Sequence, residues 1–269
     1  MILFPNSKIN LGLHVIRRRA DGYHDIQTVF YPLPLRDIIE IIPSDDFQFH
    51  QSGLPVPGED SNNLCIKAYQ LLKKKFPDLS AVKMYLHKRI PIGSGLGGGS
   101  ADGAFMLRLL NERFHLNLST DQLSDYALQL GSDCPFFIVD KPCLANGRGE
   151  LLQLFRLDLS NYSFVLVHTG IHIDTAKAFS TITPALPKKS IAEILQHPVT
   201  TWSSELVNDF EKPVFEEHPF LQDIKTKLYE SGALYASMTG SGSSFYGIFE
   251  KDAIPSFSFE QIFRVDILK

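Results

Sequence analysis

The stretch Pro91-Ile92-Gly93-Ser94-Gly95-Leu96-Gly97-Gly98-Gly99-Ser100 carries the strongest local signal in the chain. Before it, Val82 to His87 alternates apolar and polar residues as a strand does; after it, a helical pattern runs from about Ala101 to Arg113. Five glycines in the seven positions from Gly93 to Gly99 cannot serve stability, because glycine loses the most backbone freedom on folding. Between a strand and a helix, such a loop lets bare amide groups close around an anion. The helix adds its first N–H groups and the positive end of its dipole. Ser100 offers a hydroxyl to a phosphate or to a Mg²⁺ ion beside one. A flexible linker shares the composition, but not the tight placement between two regular elements.

Several phosphate loops can be excluded. A Walker A motif needs a lysine and a Ser/Thr directly after its last glycine, and none stands in that register. Gly93-x-Gly95-x-x-Gly98 matches the dinucleotide fingerprint formally. That fold also needs an acidic residue about twenty positions on, at the end of a parallel strand, and Phe114 to Thr120 provides no such strand end. A protein kinase would carry H-R-D and D-F-G further along, and neither occurs.

Working outward, Ile9, Leu11, Leu13 and Val15 alternate with Lys8, Asn10, Gly12 and His14, which predicts a strand with Lys8 and Asn10 on the face opposite the apolar one. Ala20-Asp21-Gly22 signals a turn. Further strands are expected around Ile26 to Leu33 and Asp37 to Ile42, then a polar loop to Asn62 with a short strand near Phe47. Leu64 to Phe76 has helical spacing and stops before Pro77; Asp121 to Leu130 is a second helix, with Ser119 or Thr120 as its cap. Later, Phe164 to His168 reads as a buried strand, Pro219 to Ser231 as a helix, and Ala236 to Phe249 as strand-like residues around a second glycine-rich turn. The class is α+β, with two domains expected at 1–152 and 153–269.

Pro91 to Ala101, with Lys88-Arg89-Ile90 ahead of it, resembles the phosphate loop of the GHMP kinases, and the triple glycine before Ser100 is the version found in those acting on a diphosphocytidyl alcohol. Three other segments agree in order. Lys8-Ile9-Asn10-Leu11-Gly12-Leu13 with Arg19-Ala20-Asp21-Gly22-Tyr23-His24 resembles the family's first motif. Gly131-Ser132-Asp133-Cys134-Pro135 resembles the segment with its catalytic aspartate, and Met238-Thr239-Gly240-Ser241-Gly242-Ser243-Ser244 resembles its third motif. The resemblance implies an N-terminal ATP-binding domain of ribosomal-protein-S5-like type and a C-terminal domain of ferredoxin-like type. It also implies ATP-dependent phosphorylation of the 2-hydroxyl of 4-diphosphocytidyl-2-C-methyl-D-erythritol in isoprenoid precursor synthesis, with Mg²⁺.

It implies roles for residues as well. Asp133 is the expected base and Lys8 its electrostatic partner. A carboxylate within reach of a hydroxyl can accept its proton, and a nearby ammonium favours that carboxylate's charged form. Taken singly, Lys8 also fits the wet face of a half-buried strand and Asp133 a helix N-cap before Pro135. The nucleotide is expected along Pro91, Ile92, Gly93, Ser94, Gly95, Leu96, Gly97, Gly98, Gly99, Ser100 and Ala101, with Asn63 and Lys88 nearby. Asn10, Tyr23, His24, Thr175 and Phe179 are expected to hold the substrate, the aromatic rings clasping its cytosine. Ala101 stands where the family often has serine, Asp174 and Ala176 where it often has proline, and the metal ligands stay unassigned. Two rivals remain: a GHMP kinase for a sugar, homoserine or mevalonate, and a nucleotide-binding regulator without turnover.

The bulk composition is compatible. A chain of 269 residues, 44% hydrophobic and 21% charged, can bury a core as a soluble protein does. A net charge of −4 argues against a general nucleic-acid footprint. The runs Arg17-Arg18-Arg19 and Lys73-Lys74-Lys75 read as a solvated turn and a helix end, an anionic partner staying open for the arginines. Cys65, Cys134 and Cys143 form no C-x-x-C pair and no even framework, which suits a reducing compartment. Met1 to Pro5 is too short for a signal sequence, and no apolar run reaches membrane-spanning length. A bacterial cytoplasmic location with no membrane partner is expected; oligomeric state is left open.

Overall fold

The computed structural model describes residues 1–251, 253 and 264–268. The chain forms two compact units that interleave in sequence. One comprises Met1–Lys8, Pro32–Ile92 and Gly97–Lys141; the other comprises Ile9–Tyr31, Gly93–Leu96 and the described residues from Pro142 on.

In the first unit, a four-stranded sheet has the order Ile2–Leu3, Ile38–Pro43, Val82–Lys88, Gln48–Gly53. The last two strands run parallel and the other pairs antiparallel. Val82, Met84, Leu86 and Lys88 are buried while Tyr85 and His87, which alternate with them, are exposed, the period-2 pattern of a sheet with one covered face. Helices Leu64–Lys75 and Gly98–Arg113 pack against each other, as do Thr120–Leu130 and Cys134–Val139. Their starts are specified locally. Asn63 Oδ1 accepts from Cys65 N at 2.9 Å, and Ser119 forms a capping box with Gln122. The helix after the glycines starts at Gly98, three residues earlier than its apolar pattern suggests, because glycines carry no side chain for the pattern to register.

The second unit carries a sheet ordered Tyr235–Met238, Phe245–Glu250, Tyr162–His168, Arg264–Leu268, antiparallel throughout. A further sheet has the order Asn6–Arg18, His24–Arg36, Cys143–Asn146, Leu151–Leu154. Leu13, Val15 and Ile26 share one apolar cluster with Val167, Phe210, Leu228, Met238 and Phe249, so burial of these side chains ties the unit together. Between Gly170 and Pro219 lie short helices at Thr175–Thr181, Ile191–Ile194 and Glu211–Glu217. Two of them are started by polar caps. Asp174 accepts from Ala176 N and Lys177 N, and Ser190 pairs with Glu193 as a capping box.

The opening strand is buried on both faces from Asn6 to Val15. Lys8 and Asn10, at 3% and 2% exposure, therefore do not lie on a wet face, and a buried ammonium needs a partner.

Candidate active site

That partner is Asp133. Lys8 Nζ lies 3.4 Å from Asp133 Oδ2, with the lysine side chain 4% exposed and the aspartate 34%. Asp133 stands at the N-cap position of Cys134–Val139, yet its side chain makes no capping hydrogen bond. Local capping therefore does not account for this aspartate. Burial pulls the Lys8 ammonium below the ordinary lysine range, partly opposed by the charge and hydrogen bond of Asp133. The pair is thus one deep cation and one carboxylate that solvent, or a hydroxyl, can reach.

It lies against the glycine loop. A Cβ placed on Gly97 would come within 2.8 Å of Phe137 Cζ and 3.1 Å of Lys8 Cγ, and Gly97 has φ +73°, a conformation that penalises any side chain. Ala101 N donates to Gly97 O at 2.9 Å, which opens the helix and leaves the amides just after Gly97 free of intrahelical partners. Ser100 is in hydrogen-bonding contact with Cys134, whose thiol burial pushes up to about 12. Cys134 is thus a packed thiol and no nucleophile.

In the second unit, the first half of the loop meets the turn after Met238. Gly95, at φ +78°, approaches so closely that a Cβ would stand 2.0 Å from Thr239 O. Thr239 Oγ1 donates toward Gly95 O and Asn10 Oδ1, both at 3.3 Å, and accepts from Asn10 N at 3.0 Å. Ser244 N donates to Ser94 O at 3.3 Å. The loop, Asn10 and the later glycine turn form one hydrogen-bonded assembly. Thr175 and Ser241 hydroxyls share a 2.8 Å hydrogen bond in the same unit.

The aromatic residues expected around a base fall into two groups. His24 and Phe179 stack directly on each other, centroids 4.8 Å apart and planes 11° apart, and Phe179 meets buried Phe210 edge-on at 4.7 Å. Two rings that enclosed a base would stand about twice a stacking distance apart, so here they form one plate rather than two jaws. Tyr23 is 57% exposed, with the Arg148 guanidinium 5.0 Å from its ring centre. Its hairpin is braced by the arginine run: Arg19 pairs with Asp21 and Asp25, and Arg17 pairs with Asp25. Those two arginines are committed within the chain.

Two expected nucleotide neighbours serve the framework. Asn63 caps its helix, and Lys88, with no exposed side-chain surface, holds its ammonium on Asp37 and on Asp102. Asp37 and Asp102 were not among the residues singled out from sequence; Asp37 is 51 positions from Lys88, and no local pattern announces the contact. Among the described residues, no group of three or more His, Cys, Asp or Glu side chains is placed to hold a metal ion. Nor is any helix among them long and apolar enough to cross a membrane.

The phosphate-type loop, the Lys–Asp pair beside it and the mixed architecture define the class as a GHMP kinase. Residues 63–141 match the GHMP kinases N terminal domain and residues 185–257 the GHMP kinases C terminal domain. The 4-diphosphocytidyl-2-C-methyl-D-erythritol kinase of Azobacteroides pseudotrichonymphae is 52% identical over 95% of this chain and 96% of its own, and that of Bacteroides fragilis 49% identical over 98% and 97%. A crystal structure of 4-(cytidine 5'-diphospho)-2C-methyl-D-erythritol kinase superposes with a TM-score of 0.81 at 30% identity, covering 93% of this chain and 91% of that one. The chain belongs to the 4-diphosphocytidyl-2-C-methyl-D-erythritol kinase family.

Proposed function

We propose that the protein transfers the γ-phosphoryl group of ATP to the 2-hydroxyl of 4-diphosphocytidyl-2-C-methyl-D-erythritol, and that Asp133 and Lys8 carry the chemistry. The observation that supports these roles is the ion pair seated against Gly97, with the carboxylate half-buried and the ammonium buried. Phosphoryl transfer asks the protein mainly for alignment and charge stabilisation. Asp133 accepts the proton of the attacking hydroxyl, and Lys8 holds the carboxylate in place and offsets charge on the transferring group. The amides of Gly97 to Ser100 receive the phosphates. Mg²⁺ carried on the ATP phosphates would supply charge neutralisation there.

Asn10, Thr175, Tyr23, His24 and Phe179 select the cytidyl end. In this reading a base stacks on the His24–Phe179 plate or on Tyr23. The partners are small molecules, the location is the bacterial cytoplasm, and nucleic acid is no ligand.

A coupled ADP-release assay with Mg²⁺-ATP tests the reading, offering the cytidyl alcohol, mevalonate, homoserine and galactose in parallel. Turnover confined to the cytidyl alcohol is expected. Turnover with another alcohol instead would refute the substrate, and bound ATP without turnover on any would favour a regulator.

A further inference from the structure

Beneath the glycine loop, within the first unit, lies a charged cluster that neither the proposed chemistry nor substrate selection uses. Lys88, the last residue of strand Val82–Lys88, is bonded through Nζ to Asp37 Oδ2 and, at 2.7 Å, to Asp102 Oδ2. All three side chains are at most 4% exposed. Asp37 reaches further. Its Oδ1 accepts from Arg89 N at 2.5 Å and Ile90 N at 2.8 Å, and its own N–H donates to Pro5 O at 2.8 Å. One carboxylate therefore grips the three residues that lead into the loop.

Asp102 sits on the first turns of helix Gly98–Arg113, on the far side of the loop. A Cβ on Gly98 would lie 3.3 Å from Lys88 Nζ and 2.7 Å from Ile90 Cγ2, so the helix start rests on the ammonium and on the residue Asp37 holds. We propose that Lys88, Asp37 and Asp102 are positioning residues that fix the loop's entry strand relative to its exit helix, so that the amides of Gly97 to Ser100 face a nucleotide phosphate. Lys88 itself does not touch the nucleotide. The inference rests on the nucleotide reading above and deepens it.

Charge balance agrees with a framework role. Burial alone would lower Lys88, but the charges of Asp102 and Asp37 reverse this and hold the ammonium above the ordinary lysine range. Burial pushes the Asp102 carboxyl well above the usual carboxylate range, against the pull of Lys88. The ammonium and the acidic side chains thus offset one another, as a dry site requires. Asp102 Oδ1, buried and without a hydrogen-bond partner among the described residues, suits a neutral carboxyl better than a charged one.

The test measures ATP affinity by calorimetry and cooperative thermal unfolding on the full chain, for Asp102→Leu, Asp102→Asn, Asp37→Asn, Lys88→Met and the double variant of the last two. Asp102→Leu removes the acceptor, and Asp102→Asn keeps a neutral one. The leucine should raise Kd for ATP at least about tenfold, the asparagine by less than about twofold. Asp37→Asn and Lys88→Met should each weaken ATP, the double variant no more than the worse single, with affinity for the cytidyl alcohol unchanged. Loss of ATP affinity in Lys88→Met alone, with Asp37→Asn and Asp102→Leu unaffected, would make Lys88 a direct contact and overturn the inference. So would equal damage from asparagine and leucine at 102. If the Asp37 and Lys88 variants fail to fold, the pair at 102 still decides. Absence of ATP binding in the unsubstituted chain would overturn the nucleotide reading and this inference with it.

Discussion

Gly99→Ala separates what the fold needs from what the nucleotide needs. Gly99 is the second residue of helix Gly98–Arg113, its φ lies outside the left-handed region, and an added Cβ would meet nothing within 4 Å. Nothing in the chain itself requires glycine there. Alanine should stabilise by about 0.4–1 kcal/mol, by restricting the unfolded chain and raising helix propensity. For a chain of this size that is a rise in Tm of roughly 1–4 °C. Phosphate is proposed to lie over these amides, so the same methyl group should weaken ATP at least about tenfold, or ~1.4 kcal/mol. Gly97→Ala is the contrast. With φ +73° and Phe137 Cζ 2.8 Å from the new Cβ, it should cost ~1–2 kcal/mol of backbone strain and ~1–3 kcal/mol of overpacking. Thermal unfolding and calorimetric ATP titration on both variants form the assay. A stabilised Gly99→Ala protein that binds ATP normally would refute the placement of phosphate over the helix start.

Three further outcomes follow from the same geometry. Asp133→Asn should cut kcat about 10²–10⁴-fold while Kd for ATP stays within about twofold, and should lower the unfolding temperature because buried Lys8 loses its charged partner; a variant retaining a tenth of the activity or more would remove Asp133 as base. Lys8, held low by burial, should give kcat an alkaline limb below the ordinary lysine value of about 10.4; over that window the unfolded chain binds the proton and the folded one has lost it, so Lys8 makes stability rise with pH, and a limb only at or above 10.4 would contradict its burial. Cys65, Cys134 and Cys143 are all buried, burial pushing Cys134 up to about 12 and Cys143 up to about 11, so a disulfide reagent at about pH 8 should titrate no thiol in the native protein and three after denaturation.

How far the sequence could be read depends on the range of the interaction involved. The capped helices Leu64–Lys75 and Thr120–Leu130 and the strand Val82–Lys88 are legible because cap and period are written in neighbouring residues. Helix Thr175–Thr181, seven residues in a proline-punctuated stretch, is too short to show a period, and the edge strand Leu151–Leu154 leaves two leucines in solvent, opposite to the pattern that marks a strand. The opening strand misleads on environment: polar Lys8 and Asn10 suggest a wet face, and only tertiary partners make their burial tolerable.

The site divides the same way. Residues inside one motif could be nominated together, but the contacts that hold them come from elsewhere in the chain, as Thr239 does for Gly95 and Asp37 for Lys88. His24 and Phe179, 155 positions apart, could be paired only through a resemblance, and their closed stack is visible only in three dimensions. The glycine loop reads as a single device in sequence, yet Gly93–Leu96 belongs to one compact unit and Gly97–Ser100 to the other. Each half is fixed by its own unit, Gly95 by the turn after Met238 and Gly97 by Phe137 and Lys8. On the proposed placement of phosphate over Gly97 to Ser100, substitutions at Phe137 or Lys8, which pack against Gly97 within the same unit, should weaken ATP without touching the loop, so the supports of the motif matter as its glycines do.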